Sequence, residues 1–233
     1  MTFKLFQKLL IVFCLLVLSS AEVTAQSKPE DFGVWLSAAY VQTLSDKWEF
    51  QITEQIRTQD NSTRLGLAYT NLGLTHKFSR YFRLSAAYRF INRRRDEDIW
   101  GIRHRMMLDA RLRIFPKRST LQYRSRLQAD VGGNGYFGPT SNIPRIYWRH
   151  TVKYSYNLSR KLQPYVSAEA RFQLQRVGRP ESDGFDRLRL AIGTDIQLTK
   201  KHAIGIYGML NEPFNRAGST RRWVIGVDYV FEN

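Results

Sequence analysis

The sequence predicts an all-β protein: a single transmembrane antiparallel up-and-down β-barrel of about 10–12 strands, with twelve favoured. Three observations predict it. From Phe32 onward, apolar and polar residues alternate with a period of two. The alternating runs are longer than the ~5–6 residues usual for strands of soluble proteins and reach the ~9–11 residues a tilted strand needs to cross a bilayer. The connections between runs alternate between tight and long, as expected of short periplasmic turns and longer extracellular loops.

The elements follow in chain order. Lys4 and Lys8 make a basic start, Leu9 to Leu18 is unbroken apolar sequence, and Val23-Thr24-Ala25 offers a small-residue cleavage point before Gln26. Residues 1–25 are expected to be a cleaved signal peptide and residues 26–233 the outer-membrane barrel. Ser19-Ser20-Ala21 is a second candidate for cleavage. The single cysteine, Cys14, lies inside the apolar stretch rather than directly after it, which argues against lipidation. Residues 26–233 then hold no cysteine, which excludes disulfides, thiol catalysis and thiolate metal sites. No later stretch approaches the ~20 apolar residues of a spanning helix, so a closed barrel is the remaining route across a bilayer.

Each strand shows the alternation. Trp48, Phe50, Ile52 and Ile56 alternate with Glu49, Gln51, Thr53, Gln55 and Arg57, with Glu54 out of phase. Phe82, Leu84, Ala86, Tyr88 and Phe90 alternate with Arg83, Ser85, Ala87 and Arg89. The same pattern runs through residues 100–114, 121–131, 145–157, 166–174, 187–198 and 223–231. Trp100, Trp148 and Trp223 carry the apolar parity at the strand ends next to long loops, and Trp48, Phe82, Tyr156 and Phe231 carry it at the opposite ends. Two such aromatic girdles flank the apolar band of a barrel in lipid. Trp35 has the opposite parity from Phe32, Val34, Leu36 and Tyr40.

The N-terminal part fits less simply. Eleven runs are countable, including Phe32–Val41, Arg64–Phe78 and Ala203–Leu210. Bacterial single-chain barrels have even strand numbers, so a short strand before Phe32, a lumen-threading segment at 26–35 or a miscounted run is expected. Leu65, Leu67 and Tyr69 differ in phase from Leu72, Leu74 and Phe78, which predicts a bulge near Thr70-Asn71.

The polar parity carries charge rather than the Ser/Thr/Lys mix of a solvated face. Arg103, Arg105, Arg111, Arg113, Arg124, Arg126, Arg145, Arg149, Lys153, Arg171, Arg187 and Arg189 are expected to line the lumen, together with Glu49, Asp109, Asp130, Glu169, Asp195 and Asp228. Twelve cations against six carboxylates leave a positive excess. The leading active function is passage of small anions, because rings of Arg and Lys line anion pores. The alternative is a plugged structural or surface-binding barrel whose interior is filled by Arg–carboxylate pairs.

A second alternative is an acyl hydrolase on the lipid-facing wall. His104, His150, Ser119 and Ser125 have that parity, but no acid of the same parity lies near either histidine in sequence. Enzymatic activity is therefore not expected. The four histidines, at 76, 104, 150 and 202, have no metal-binding spacing, and no cofactor is expected. The net charge of +16 is spread over many segments, and export argues against nucleic acid as a partner. The expected partners are outer-membrane lipids and lipopolysaccharide, the barrel-assembly machinery during insertion, and small anions.

Several short motifs together resemble a family. They are Phe32-Gly33-Val34-Trp35, Trp48-Glu49-Phe50, Glu54-Gln55-Ile56-Arg57, Tyr88-Arg89-Phe90, Arg103-His104-Arg105, Tyr123-Arg124-Ser125-Arg126-Leu127, Pro164-Tyr165-Val166-Ser167-Ala168-Glu169, Asp186-Arg187-Leu188-Arg189 and Tyr229-Val230-Phe231. The chain resembles the Gram-negative outer-membrane barrel family catalogued as domain of unknown function 2490. That resemblance implies a barrel in the outer membrane and assigns no activity and no functional residues.

Overall fold

The computed structural model describes residues 28–94, 99–132, 144–174, 184–215 and 218–233. The expected signal peptide and the longest loops lie outside the described residues. Eleven strands are present among the described residues: β1 (Glu30–Thr43), β2 (Trp48–Gln59), β3 (Arg64–Lys77), β4 (Phe82–Arg94), β5 (Trp100–Ile114), β6 (Ser119–Gly132), β7 (Arg145–Tyr156), β8 (Leu162–Gln173), β9 (Gly184–Gln197), β10 (His202–Pro213) and β11 (Arg221–Glu232). Neighbours in sequence pair antiparallel, and β1 pairs with β11 to close the barrel.

That closing pair corrects two expectations. Among the described residues the barrel has eleven strands, within the expected 10–12 but not the favoured twelve, and it is not antiparallel throughout. β1 and β11 run parallel in unbroken register from Glu30↔Arg221 to Val41↔Glu232. The reason is parity: when every strand reverses direction, an odd number brings first and last together pointing the same way. Residues 30–35 belong to β1 and do not thread the lumen. The seam carries its own cross-links. Arg222 binds Asp31 at 2.6 Å, Ser37 Oγ donates to Asp228 at 2.5 Å, and the Tyr40 and Phe231 rings lie 5.8 Å apart.

A third correction concerns β3. The β2–β3 ladder runs regularly past Thr70 and Asn71, and the register shift lies between Arg57 and Thr58, where Leu67 gives way to Leu65 as the partner residue. The extra residue there is Gly66. Leu67 and Tyr69 hold the other parity from Leu72 and Leu74 because they face the lumen: Tyr69 is buried, whereas Leu72 and Leu74 are exposed.

The outer surface explains why the closed sheet suits lipid. Among its exposed large apolar residues are Leu36, Ile56, Leu72, Met106, Leu108, Leu127, Val152, Val166, Ile192 and Ile225. Trp48, Trp100, Trp148, Tyr156 and Trp223 are exposed on this face as well, and Phe82 and Phe231 share it half-buried. Closure leaves no strand edge with unpaired backbone groups, which is what a hydrocarbon environment demands. Trp35, Met107, Tyr147 and Val224 are buried and point inward instead.

Candidate functional site: a cationic lumen

Alternation along each strand sends one set of side chains inward. Arg103, Arg105, Arg111 and Arg113 project from β5, Arg124 and Arg126 from β6, Arg145, Arg149 and Lys153 from β7, Glu169 and Arg171 from β8, and Arg187, Arg189 and Asp195 from β9. Most of them surround one cavity of ≈ 530 Å³. Arg111, Arg113 and Asp195 face the lumen beyond its lining. Among the described residues the cavity wall carries thirteen cations and two carboxylates, Glu169 and Asp228.

The remaining carboxylates lie back against the sheet, where they neutralise particular arginines. Asp109 accepts a two-pronged bond from Arg126, 2.6 Å in each arm. Asp130 takes Arg105 at 2.7 and 2.9 Å, Arg103 at 3.1 Å and Gln128 at 2.8 Å. Asp186 takes both arms of Arg171 at 2.7 Å. Glu169 is a hub: Arg149 reaches it at 2.6 Å, Arg124 at 3.0 Å, Arg189 at 3.3 Å and the Thr151 hydroxyl at 3.1 Å. Lys153 meets Asp195 at 2.8 Å. Planar guanidinium–carboxylate forks of this kind have both strength and direction.

The direction of these contacts matters for function. Asp109, Asp130 and Asp186 each bind an arginine from the adjacent strand, while Arg124–Glu169, Lys153–Asp195 and Arg83–Glu49 skip one strand. None of these ion pairs runs straight across the barrel. Eleven strands at ~4.8 Å spacing and ~40° tilt enclose a ring roughly 22 Å wide between backbones. Side chains that bind along the wall therefore leave space at the axis.

Sequence reasoning passed over several residues that face this lumen. Asp31 and Asp186 went unassigned, the first at the chain's start and the second beside a bulge. The β8–β9 register shifts between Arg171 and Phe172, and the extra residue on β9, Asp186, breaks simple alternation with Arg187. Arg57 and Arg89 had the polar parity and line the cavity. Their runs carry the signal, the same alternation that marks the arginines of β5 to β9. Trp35 faces the lumen at 6% exposure, stacked beneath Arg57 at 3.6 Å. Its departure from the outward phase was legible.

On the outer wall three histidines pair with tyrosines. His104 Nδ1 pairs with the Tyr88 hydroxyl at 2.6 Å, His150 Nδ1 with Tyr123 at 2.7 Å and His202 Nδ1 with Tyr229 at 2.6 Å. Ser125 Oγ accepts from Trp148 Nε1 at 2.8 Å, and Ser119 Oγ pairs with the Tyr154 hydroxyl at 2.8 Å. No serine, histidine and carboxylate come within mutual hydrogen-bond reach there among the described residues. No cluster of three or more potential metal ligands occurs among them either.

The fold has solved counterparts. LpxR from Salmonella typhimurium is similar with a TM-score of 0.52 at 11% identity, over 84% of this chain and 87% of that one. The beta domain of the Bordetella autotransporter BrkA is similar with a TM-score of 0.48 at 10% identity, over 81% of this chain and 83% of that one. At such identities the likeness concerns the fold alone, and it is the fold of outer-membrane barrels. No curated protein matches the sequence. The family model described as "Protein of unknown function (DUF2490)" matches residues 32–222, which is most of the chain, and the protein belongs to that family.

Proposed function

We propose that the barrel sits in the outer membrane as a passage for small anions through its arginine-rich lumen. One observation carries this reading: among the described residues the cavity wall holds thirteen cations and two carboxylates, and the pairs Arg126–Asp109, Arg171–Asp186, Arg124–Glu169 and Lys153–Asp195 run along the wall. A wall of fixed positive charge in a narrow, low-dielectric surround attracts anions and repels cations. Export through the segment 1–25 and contact of the outer face with membrane lipids and lipopolysaccharide complete the reading.

A second reading draws on the same arginines. Arg126, Arg105 and Arg171 are each largely buried and bound by both arms to one carboxylate, as side chains that merely fill a small barrel would be. The barrel would then act through its loops or outer wall.

Conductance separates the two. The refolded protein in a planar bilayer under a potassium chloride gradient should give steady steps with a reversal potential toward that of chloride. A silent bilayer, with insertion verified by heat-modifiable migration, would leave the structural barrel.

A further inference from the structure

One part of the lumen wall formed by β2, β3 and β4 stacks its arginines on rings. Arg57 and Arg89 flank Tyr69, which lies on the strand between them. The Arg57 guanidinium sits 3.6 Å from the centre of the Trp35 ring and 5.5 Å from that of Tyr69, and the Arg89 guanidinium sits 3.7 Å from the Tyr69 ring. Each Nε is tied to a neutral amide: Arg57 donates to Gln55 Oε1 at 2.6 Å, and Arg89 to Asn71 Oδ1 at 3.2 Å. Neither arginine has a carboxylate partner among the described residues. Both line the cavity.

These features act together. Stacking on a ring fixes the plane of each guanidinium, and the amide fixes its rotation. A guanidinium held this way presents its terminal N–H groups as a preset fork for an oxyanion. For Arg105, Arg124, Arg126, Arg149, Arg171 and Arg189 a carboxylate of the chain fills that role, and here none does. Leu67, Tyr69 and Ile91 line the cavity beside the two forks, with Arg93 opposite Leu67. Leu67 lies opposite Arg57 in the ladder, and Ile91 lies opposite Tyr69. A pocket with an apolar floor and a few directed polar groups is the usual form of a small-molecule site.

We infer that Arg57, Tyr69 and Arg89 form a binding subsite for an organic oxyanion. A carboxylate, phosphate or sulfate group is held by the two guanidinia, and its aromatic or short aliphatic body lies on Leu67, Tyr69 and Ile91. The inference rests on the lumen being open to solutes, and it adds the class of solute that the passage favours.

The test uses the full barrel, refolded in detergent, with phenyl phosphate and inorganic phosphate as probes in isothermal titration. Phenyl phosphate should bind at least tenfold more tightly than inorganic phosphate. Arg57→Gln and Arg89→Gln should each weaken phenyl phosphate by about tenfold or more, since each removes one charged fork. Arg57→Lys and Arg89→Lys keep the charge and guard against loss of folding, and they should also weaken binding because the planar fork is gone. Equal affinity for the two probes, or wild-type affinity in the lysine variants, would overturn the subsite. Conductance reads the passage separately: a silent bilayer with Arg57-dependent binding removes the passage and keeps the subsite, whereas chloride-selective current without probe binding does the reverse.

Discussion

Two arcs of the lumen wall are shaped by different physics. From β5 to β9 the wall is charged, and its rigidity comes from arginine forks gripping Asp109, Asp130, Glu169 and Asp186. From β9 through the closing seam to β1 charged groups such as Asp228 and the Arg222–Asp31 pair also occur, but the shape comes from rings packed on glycines. In one row across the strands, Tyr165, Gly193, Tyr207, Gly226 and Trp35 stand side by side. A Cβ on Gly193 would lie 2.6 Å from the Ile206 carbonyl oxygen and 2.9 Å from the Tyr165 ring, and one on Gly226 would run into the Tyr207 ring. Trp35, Met209 and Val224 form the buried apolar cluster beside that row. The difference teaches that fixed charge and tight curvature are supplied separately: the charged arc sets what the lumen attracts, and the glycine–aromatic arc lets the odd-stranded sheet bend shut.

The largest expected effect breaks the charged arc. Glu169→Gln leaves Arg124, Arg149 and Arg189 without their shared counter-charge and should cost about 3 kcal/mol or more, read from urea unfolding of the refolded barrel. A loss below about 1 kcal/mol would show that the hub does not brace the wall. Next comes the glycine arc. Gly226→Ala should destabilise by about 2 kcal/mol through overpacking, and combining it with Tyr207→Ala should recover much of that loss. Independent, additive effects of the two changes would dismiss the ring-on-glycine account.

A smaller effect sharpens the link between charge and selectivity. Arg126→Ala exposes Asp109, turning a neutral pair into a negative site on the lumen wall. The chloride-to-potassium permeability ratio should fall, and an unchanged reversal potential would separate Arg126 from the conduction path. The smallest effect lies outside the lumen. Glu54 is the exception to alternation on β2, exposed on the outer face and accepting a hydrogen bond from Thr70 at 3.0 Å. Glu54→Leu should raise stability in lipid vesicles by about 1 kcal/mol, because a carboxylate on the lipid face is costly. Destabilisation instead would mean that Glu54 meets a partner in the membrane.

Much of this was legible in the residues. Strand character followed from period-two patterning, because side chains on a strand point alternately to two faces and the apolar set must meet lipid. The girdle aromatics and the arginines of β5 to β9 followed from the same parity. Arg57 and Arg89 shared that parity, yet alternation only assigns a face. It cannot say which arginine meets a carboxylate and which meets an aromatic ring, since that depends on neighbours from other strands. The bulge was foreseen in β3 but misplaced, because Leu67 and Tyr69 read as lipid-facing until the lumen was known to hold an apolar patch.

The sequence by itself determined the sheet, the face that each strand shows to lipid and the sign of the lumen's charge, all of which depend on local order along the chain. Tertiary structure alone decided the odd strand number with its parallel seam, the pairing of carboxylates with particular arginines and the two that stack on rings instead. Those features arise where residues far apart in sequence are brought into register, as Glu30 is with Arg221, and no local pattern encodes that meeting.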